Sequence, residues 1–295
     1  MSIFLTGSTG FVGKSLISYF ADQIPITKYK RNSVIDIQED IVIHLAGKAH
    51  DLKQVTSAAD YYKVNTEFAK KVFNSFITSK AKVFIILSSA KAVADEVNGE
   101  LFEDVIPNPV TDYGKSKLLA EQYILSKSVP INKRIYILRP CMIHGIGNKG
   151  NLNLLYKIVS KGLPWPLGAF ENKRSFCSVD NLCFVIKELI NNDQIPSGLY
   201  NISDDIALST NEVITIIAES RGKKANILKL NMNFIKILAR VGDFLNLPLN
   251  SERLQKLTES YIVSNAKIKL VLGKQLPVSS KDGLIKTIQS FSHNV

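Results

Sequence analysis

The chain has 295 residues, 45% hydrophobic and 21% charged, which is enough apolar material for a sizeable core and excludes a disordered or fibrous protein. Its three cysteines, Cys141, Cys177 and Cys183, are odd in number and lack CxxC spacing, so they argue against a disulfide framework or thiolate zinc site and for a reducing, cytoplasmic setting. A formal charge of +11 favours acidic partners, yet no basic run alternates with aromatics, so no nucleic-acid groove is expected.

Read in chain order, MSIFLTGSTGFVGKSL lacks the basic region and long apolar run of a signal peptide. Ser2 to Thr6 is a candidate strand, and an amphipathic helix starts at Phe11. Strands follow at Ile26 to Lys30 and Ile41 to Ala46, then a helix from Asp60 to about Ser79, a strand from Lys82 to Ser88, a helix from Tyr113 to about Lys127 and a strand from Arg134 to Arg139. Short β-branched runs alternating with amphipathic stretches predict an α/β, doubly wound parallel sheet. After Pro140 the texture changes: Gly145, Gly147, Gly150, Gly162, Gly168, Pro164 and Pro166 mark loops. Residues 1–140 are therefore assigned to a first domain. Residues 141–295 form a smaller C-terminal domain, with some segments returning to the first. The apolar stretch from Met232 to Leu249 is interrupted by Lys236, Arg240 and Asp243, which suits a buried or amphipathic helix rather than a membrane span.

Two motifs carry chemistry. Thr6-Gly7-Ser8-Thr9-Gly10-Phe11-Val12-Gly13 follows a strand and opens a helix, placing backbone N–H groups where a pyrophosphate could sit. Gly7 permits the tight turn, Gly10 the approach of phosphate, and Gly13 close helix packing. The second motif sets Tyr113 and Lys117 four residues apart, on one helix face. A phenol with an ordinary pKa of about 10 is a poor base near neutrality unless a cation such as Lys117 stabilises its phenolate. A second hydroxyl, Ser89, would hold the reacting oxygen, with Ser88 as the alternative. Alone, such a pair is more often a surface helical contact; its order after the glycine loop gives it force.

Taken together, the glycine loop, His44-Leu45-Ala46-Gly47, Val64-Asn65, Leu87-Ser88-Ser89, Tyr113 with Lys117, and Leu138-Arg139-Pro140 are similar to the extended short-chain dehydrogenase/reductase family, in its nucleotide-sugar 4-epimerase and 4-ketoreductase branch. The resemblance implies a Rossmann-type NAD(P)-binding domain and a substrate-binding domain. Gly7, Thr9, Gly10, Phe11, Val12, Gly13, Leu45, Ala46, Gly47, Asn65, Tyr113, Lys117 and Pro140 would meet the cofactor. Asp36 and Ile37 would lie beside the adenine. Ser89, Tyr113 and Lys117 would be catalytic, and His44 mainly structural. In the second half, Asn151 and Asn153 near a helix start and Arg174 in the RSF-type segment would reach the diphosphate of a UDP-sugar, with Ser89 on the sugar and Arg253 as a further phosphate ligand. An arginine fork suits phosphate oxygens. A salt bridge is the competing reading of Arg174. No metal is implied, nor insertion into a membrane, and a homodimer is admitted without being specified.

Three departures qualify this. Gly13 to His44 spans 31 positions, short for the family, so a strand and helix are missing or reduced. Ala90-Lys91-Ala92-Val93-Ala94-Asp95 lacks the tyrosine-glycine ending of the epimerase motif. The strand from Ile26 ends in Lys28, Lys30 and Arg31 without the acidic ribose ligand of an NAD enzyme, so Lys30 and Arg31 are expected to favour NADP over NAD. Both a 4-epimerase and a 4-keto-sugar reductase of polysaccharide-precursor synthesis fit the motifs. A non-catalytic dinucleotide sensor is the rival from another class.

Overall fold

The computed structural model describes residues 1–21, 23–48, 57–148, 151–245, 247 and 249–292. Its first part runs β1 (Ile3–Thr6), α1 (Phe11–Tyr19), β2 (Ile26–Lys28), β3 (Ile41–His44), α2 (Ala58–Tyr61), a π turn (Tyr62–Glu67), α3 (Phe68–Thr78), β4 (Val83–Leu87), a 3-10 turn (Ala90–Ala92), β5 (Glu100–Leu101), α4 (Asp112–Leu125) and β6 (Arg134–Pro140). The rest comprises β7 (Met142–His144), α5 (Asn151–Ser160), β8 (Phe176–Ser178), α6 (Val179–Asn191), β9 (Gly198–Ile202), α7 (Thr210–Glu219), α8 (Met232–Leu245), α9 (Ser251–Thr258), β10 (Ile262–Val263), α10 (Ala266–Leu272) and α11 (Ser280–Ser292).

Six strands form one parallel sheet in the order β2-β1-β3-β4-β6-β9. Alternation along the strands sorts side chains between two cores. Ile3, Leu5, Ile41, Ile43, Val83 and Ile85 face the helices α1 and α6, whereas Phe4, Val42, Phe84 and Ile86 face α3 and α4, meeting Phe73, Phe76, Ala120 and Ile124. A third cluster lies under the C-terminal helices and includes Leu155, Trp165, Phe176, Ile217 and Ile288. The sheet is the doubly wound one expected. One later segment, β9, returns to it beside β6.

The short interval before His44 has a structural counterpart. No helix connects β2 to β3; instead Tyr29, Ile35 and Ile37 of the connection pack onto the second core. The strand expected to reach Lys30 stops at Lys28, because the chain turns at 30–33 with Asn32 at φ 67°. The helix expected from Asp60 is α2 and α3 joined through the π turn, a feature that periodicity cannot reveal and that recurs at functional sites.

Candidate active site

Because the sheet is parallel, the loops after β1, β3, β4 and β6 gather on its carboxyl edge. The order places the reversal of winding between β1 and β3, the usual position of a ligand crevice. Gly7 turns there at φ +75°, and a Cβ on it would lie 2.6 Å from the Ala46 nitrogen; one on Gly13 would lie 2.2 Å from the Gly7 oxygen. Gly10 caps α1 in an extended conformation without any side-chain cap, leaving the first-turn N–H groups of Phe11, Val12 and Gly13 facing the loop. Thr9 and Gly10 are exposed on that loop.

The loop after β3 is tied to β1. Leu45 N donates to the Thr6 carbonyl and Ala46 N to Thr6 Oγ1, which also bonds His44 Nδ1 at 2.8 Å. His44 is buried against Phe68, and burial, reinforced by the charge of Lys117, depresses its pKa to about 3. A ring that stays neutral across the physiological range suits the wall role. Asn65, on the π turn, accepts from Lys48 N at 2.7 Å and donates to Lys48 O and Ser116 Oγ, so it clamps this loop to α4. A Cβ on Gly47 would lie 3.0 Å from Lys117 Nζ and 3.1 Å from Asn65 Oδ1, so glycine lets that backbone pack closely against both side chains.

Across from it, Ser89 lies beside the Tyr113 phenol, whose ionised form its hydroxyl favours, and caps the 3-10 turn by accepting from Lys91 N. Tyr113 is half-buried, with its hydroxyl end enclosed. Burial raises its pKa above the ordinary 10, the Ser89 hydroxyl opposes that, and neighbouring Tyr61 adds to it. Lys117, one turn further along α4, is buried and donates to the Leu87 carbonyl at 2.8 Å. Burial lowers it to about 8, partly offset by the charge of Glu121. Lys117 thus shares the face of Tyr113, as the spacing predicts, but its ammonium is held by the end of β4. Adjacent Ser88 points elsewhere, donating a very short hydrogen bond to Glu121 Oε1. Of the two serines, Ser89 meets the phenol.

Glu121 was not anticipated. It is 1% exposed and grips Arg139 through both oxygens, with Nη2 to Oε2 at 2.5 Å and Nε to the two oxygens at 3.0 and 3.1 Å. This buried pair joins α4 to β6, whose last residue, Pro140, stands at the carboxyl edge. The sequence signal was present as a glutamate four residues after Lys117, the spacing of an ordinary surface pair.

The other candidates are more dispersed. Lys30 and Arg31 are exposed just past β2; since Lys28 pairs with Leu5, they leave the strand on the edge that carries Gly7. Asp36 is exposed and accepts from Gln38 Nε2, while Ile37 is buried in the second core. Arg174 is 19% exposed and engaged by protein, donating to Lys256 O at 2.5 Å and to Glu259 Oε1 at 3.0 Å. Arg253 is exposed in the first turn of α9, the helix that also supplies Lys256. Asn153 donates to the Asn148 carbonyl. Gly150 and the Asn151 side chain lie outside the described residues. Among the described residues, no group of three His, Cys, Asp or Glu is placed to hold a metal ion.

The pH dependence follows from these shifts. With His44 neutral, kcat/KM should show no ionisation of that ring between pH 5.5 and 7.5, and should fall as pH rises through about 8, where Lys117 loses its proton. The stability sign is the reverse. Unfolded chains bind the lysine proton up to its ordinary 10.5, so folding stability rises between about pH 8 and 10.5. Lys117→Met should abolish both trends; a pH profile unchanged in that variant contradicts the assignment.

The model of the NAD dependent epimerase/dehydratase family matches residues 24–203, more than half of the chain. A UDP-glucose 4-epimerase of Vibrio cholerae is 29% identical over 323 residues, covering 98% of this chain and 95% of that protein. Among solved structures, MoeE5 in complex with UDP-glucuronic acid and NAD superposes with a TM-score of 0.76 at 18% identity, covering all of both chains. The RMD protein of Pseudomonas aeruginosa, complexed with NADPH, has a TM-score of 0.74 at 20% identity and 99% coverage of each chain.

Proposed function

The chain belongs to the NAD dependent epimerase/dehydratase family, an NAD-dependent enzyme class, and from that premise we propose that it moves a hydride at C4 of a UDP-linked hexose or N-acetylated hexosamine. The observation that carries this reading is the placing of the Ser89 hydroxyl beside the Tyr113 phenol at the carboxyl edge of the sheet, with buried Lys117 one turn along the same helix.

The residues present fit a nicotinamide dinucleotide. The uncapped start of α1 and the Gly7 to Gly13 loop would hold its diphosphate, and Leu45, Ala46, Gly47 and Pro140 would line its path to Lys117. When bound, it supplies the hydride acceptor or donor. Ser89 holds the C4 oxygen by hydrogen bonding, and Tyr113 exchanges the C4 hydroxyl proton. In the oxidising direction the phenolate takes that proton as the C4 hydrogen departs with its electron pair, leaving a ketone. In the reducing direction the phenol returns it.

A 4-epimerase and a 4-keto-sugar reductase share these steps. The deciding experiment incubates the purified protein with UDP-hexoses, UDP-N-acetylhexosamines and their 4-keto derivatives, each with NAD(H) and NADP(H), and identifies the products. Net oxidation of NADPH by a 4-keto substrate marks a reductase. Interconversion of C4 epimers without net cofactor consumption marks an epimerase, and inertness towards the whole panel removes the proposal.

NADP preference is part of this proposal. Lys30 and Arg31 are exposed cations at the edge where a ribose 2′-phosphate would approach. Lys30→Ala/Arg31→Ala should cost at least about tenfold in kcat/KM with NADPH while sparing NADH, the scale of one lost charge-assisted contact. A parent that prefers NADH, or a preference the double substitution leaves untouched, contradicts it.

Arg174 is proposed to leave Glu259 for the substrate diphosphate. Arg174→Ala should then raise KM for the UDP-sugar and Ki for UDP together, by about 1.5–3 kcal/mol or roughly 10- to 150-fold. Glu259→Gln, which frees the guanidinium, should leave UDP inhibition intact. If Arg174→Ala lowers thermal stability while UDP inhibits as before, Arg174 is a brace between its own strand segment and α9. A cytoplasmic location also belongs to the proposal, supported by the three free cysteines.

A further inference from the structure

Helix α8 is inverted relative to an ordinary surface helix. Ile235, Ala239 and Gly242 form its buried side, and a Cβ on Gly242 would run into the Leu249 carbonyl, so the helix lies flat against the chain beneath it through small residues. Its bulky apolar residues point the other way. Phe234, Ile237, Val241, Phe244 and Leu245 are 53, 57, 45, 87 and 56% exposed, and at 100° per residue they share one arc opposite the buried stripe. Leu228, Leu230 and Met232, exposed in the approach to the helix and at its first residue, extend the same apolar character. Contiguous exposure of this kind marks an interaction site rather than scattered surface residues.

The charges nearby select the occupant. Lys236 and Arg240 run along one edge of the apolar arc, and Lys229 precedes it. The acid of the helix, Asp243, is turned to α9, where Ser251 donates to it through its backbone nitrogen at 2.8 Å and its hydroxyl at 2.5 Å. From α9, Glu252 is offset by Lys256 at 2.5 Å. One edge of the patch is therefore cationic, on a chain of formal charge +11. A second copy meeting the patch through α8 would bring like charges together, whereas an anionic lipid surface offers both apolar depth and opposite charge. Fourteen residues span about 21 Å as helix, too short to cross a hydrocarbon core of about 30 Å. Among the described residues, no helix is long and apolar enough to do so.

We propose that α8 docks the protein on an anionic phospholipid surface, lying in the headgroup plane with Phe234, Ile237, Val241, Phe244 and Leu245 inserted and Lys236 and Arg240 on the lipid phosphates. This stands independently of the substrate assignment. The test is flotation of the full chain with unilamellar vesicles of phosphatidylcholine alone or with 30% phosphatidylglycerol, at low and high salt. The wild type should float with the anionic vesicles and be released by salt. Lys236→Glu/Arg240→Glu should weaken binding by at least about fivefold for each cation removed. Ile237→Ser/Phe244→Ser should reduce it at least about tenfold while leaving the melting temperature unchanged. Absence of binding to anionic vesicles overturns the proposal. So does sedimentation showing a dimer that the Ile237→Ser/Phe244→Ser variant dissolves while vesicles bind neither form.

Discussion

Tyr113→Phe should lower turnover by roughly 10²- to 10⁴-fold and leave cofactor affinity nearly unchanged, because the substitution removes the proposed proton-transfer group and keeps the ring that packs edge-on against Tyr61. The expected loss lies in kcat, since the proposed role of the phenol is exerted on the C4 hydroxyl as that bond changes. Ser89 loses its partner at the same time, so Ser89→Ala should be damaging for the same reason, and the two losses should combine less than multiplicatively. Cofactor titration by fluorescence and single-turnover kinetics on the same preparations separate the two effects. Wild-type turnover by Tyr113→Phe on the true substrate would show that the proton travels by another route.

Glu121→Ala should be the most destabilising single change near the site. It strands Arg139, 3% exposed, without its bidentate partner and removes the acceptor of Ser88. Deleting one member of a buried ion pair costs about 3–5 kcal/mol, because the remaining charge stays desolvated. The double variant Glu121→Leu/Arg139→Met should recover most of that loss, since no orphan charge remains. A second readout distinguishes a positioning role from bulk stability. Glu121 opposes the burial that depresses Lys117, so without it the alkaline limb of kcat/KM should move below about 8. Denaturant midpoints of the single and double variants measure the first effect. A pH profile of the folded double variant with its limb still at about 8 would assign Glu121 to stability alone.

Much of the sheet was legible because its strands are buried on both faces and appear as β-branched runs, such as Ile41 to His44 and Val83 to Leu87. The glycine loop was legible because space, rather than local preference, dictates Gly7 and Gly13. The choice between Ser88 and Ser89 was not, because adjacent residues leave a strand on opposite sides, and only the position of α4 decides which meets the phenol. Glu121 was hidden for a related reason: its partner, Arg139, arrives from β6 after a separate excursion of the chain. Arg174 illustrates the same limit. Its segment was recognisable, but its engagement with Glu259, 85 residues later, has no local signature. Gly114 shows a spatial constraint behind a residue that seemed incidental to the tyrosine motif. A Cβ there would lie 2.4 Å from the Lys91 carbonyl, so glycine lets the start of α4 press against the Ser89 loop and bring the two hydroxyls together.

The most direct test of hydride chemistry at C4 is the isotopic content of the product formed in D2O, read by proton NMR at the C4 position during turnover with unlabelled cofactor and the UDP-sugar or 4-keto UDP-sugar that the product screen identifies. Transfer to and from nicotinamide, with Tyr113 handling only the hydroxyl proton, leaves carbon-bound protium at C4 of the epimer or of the reduced sugar. Deuterium at C4 of the first product molecules would mean that solvent supplies that hydrogen through a carbanion, and would contradict the account.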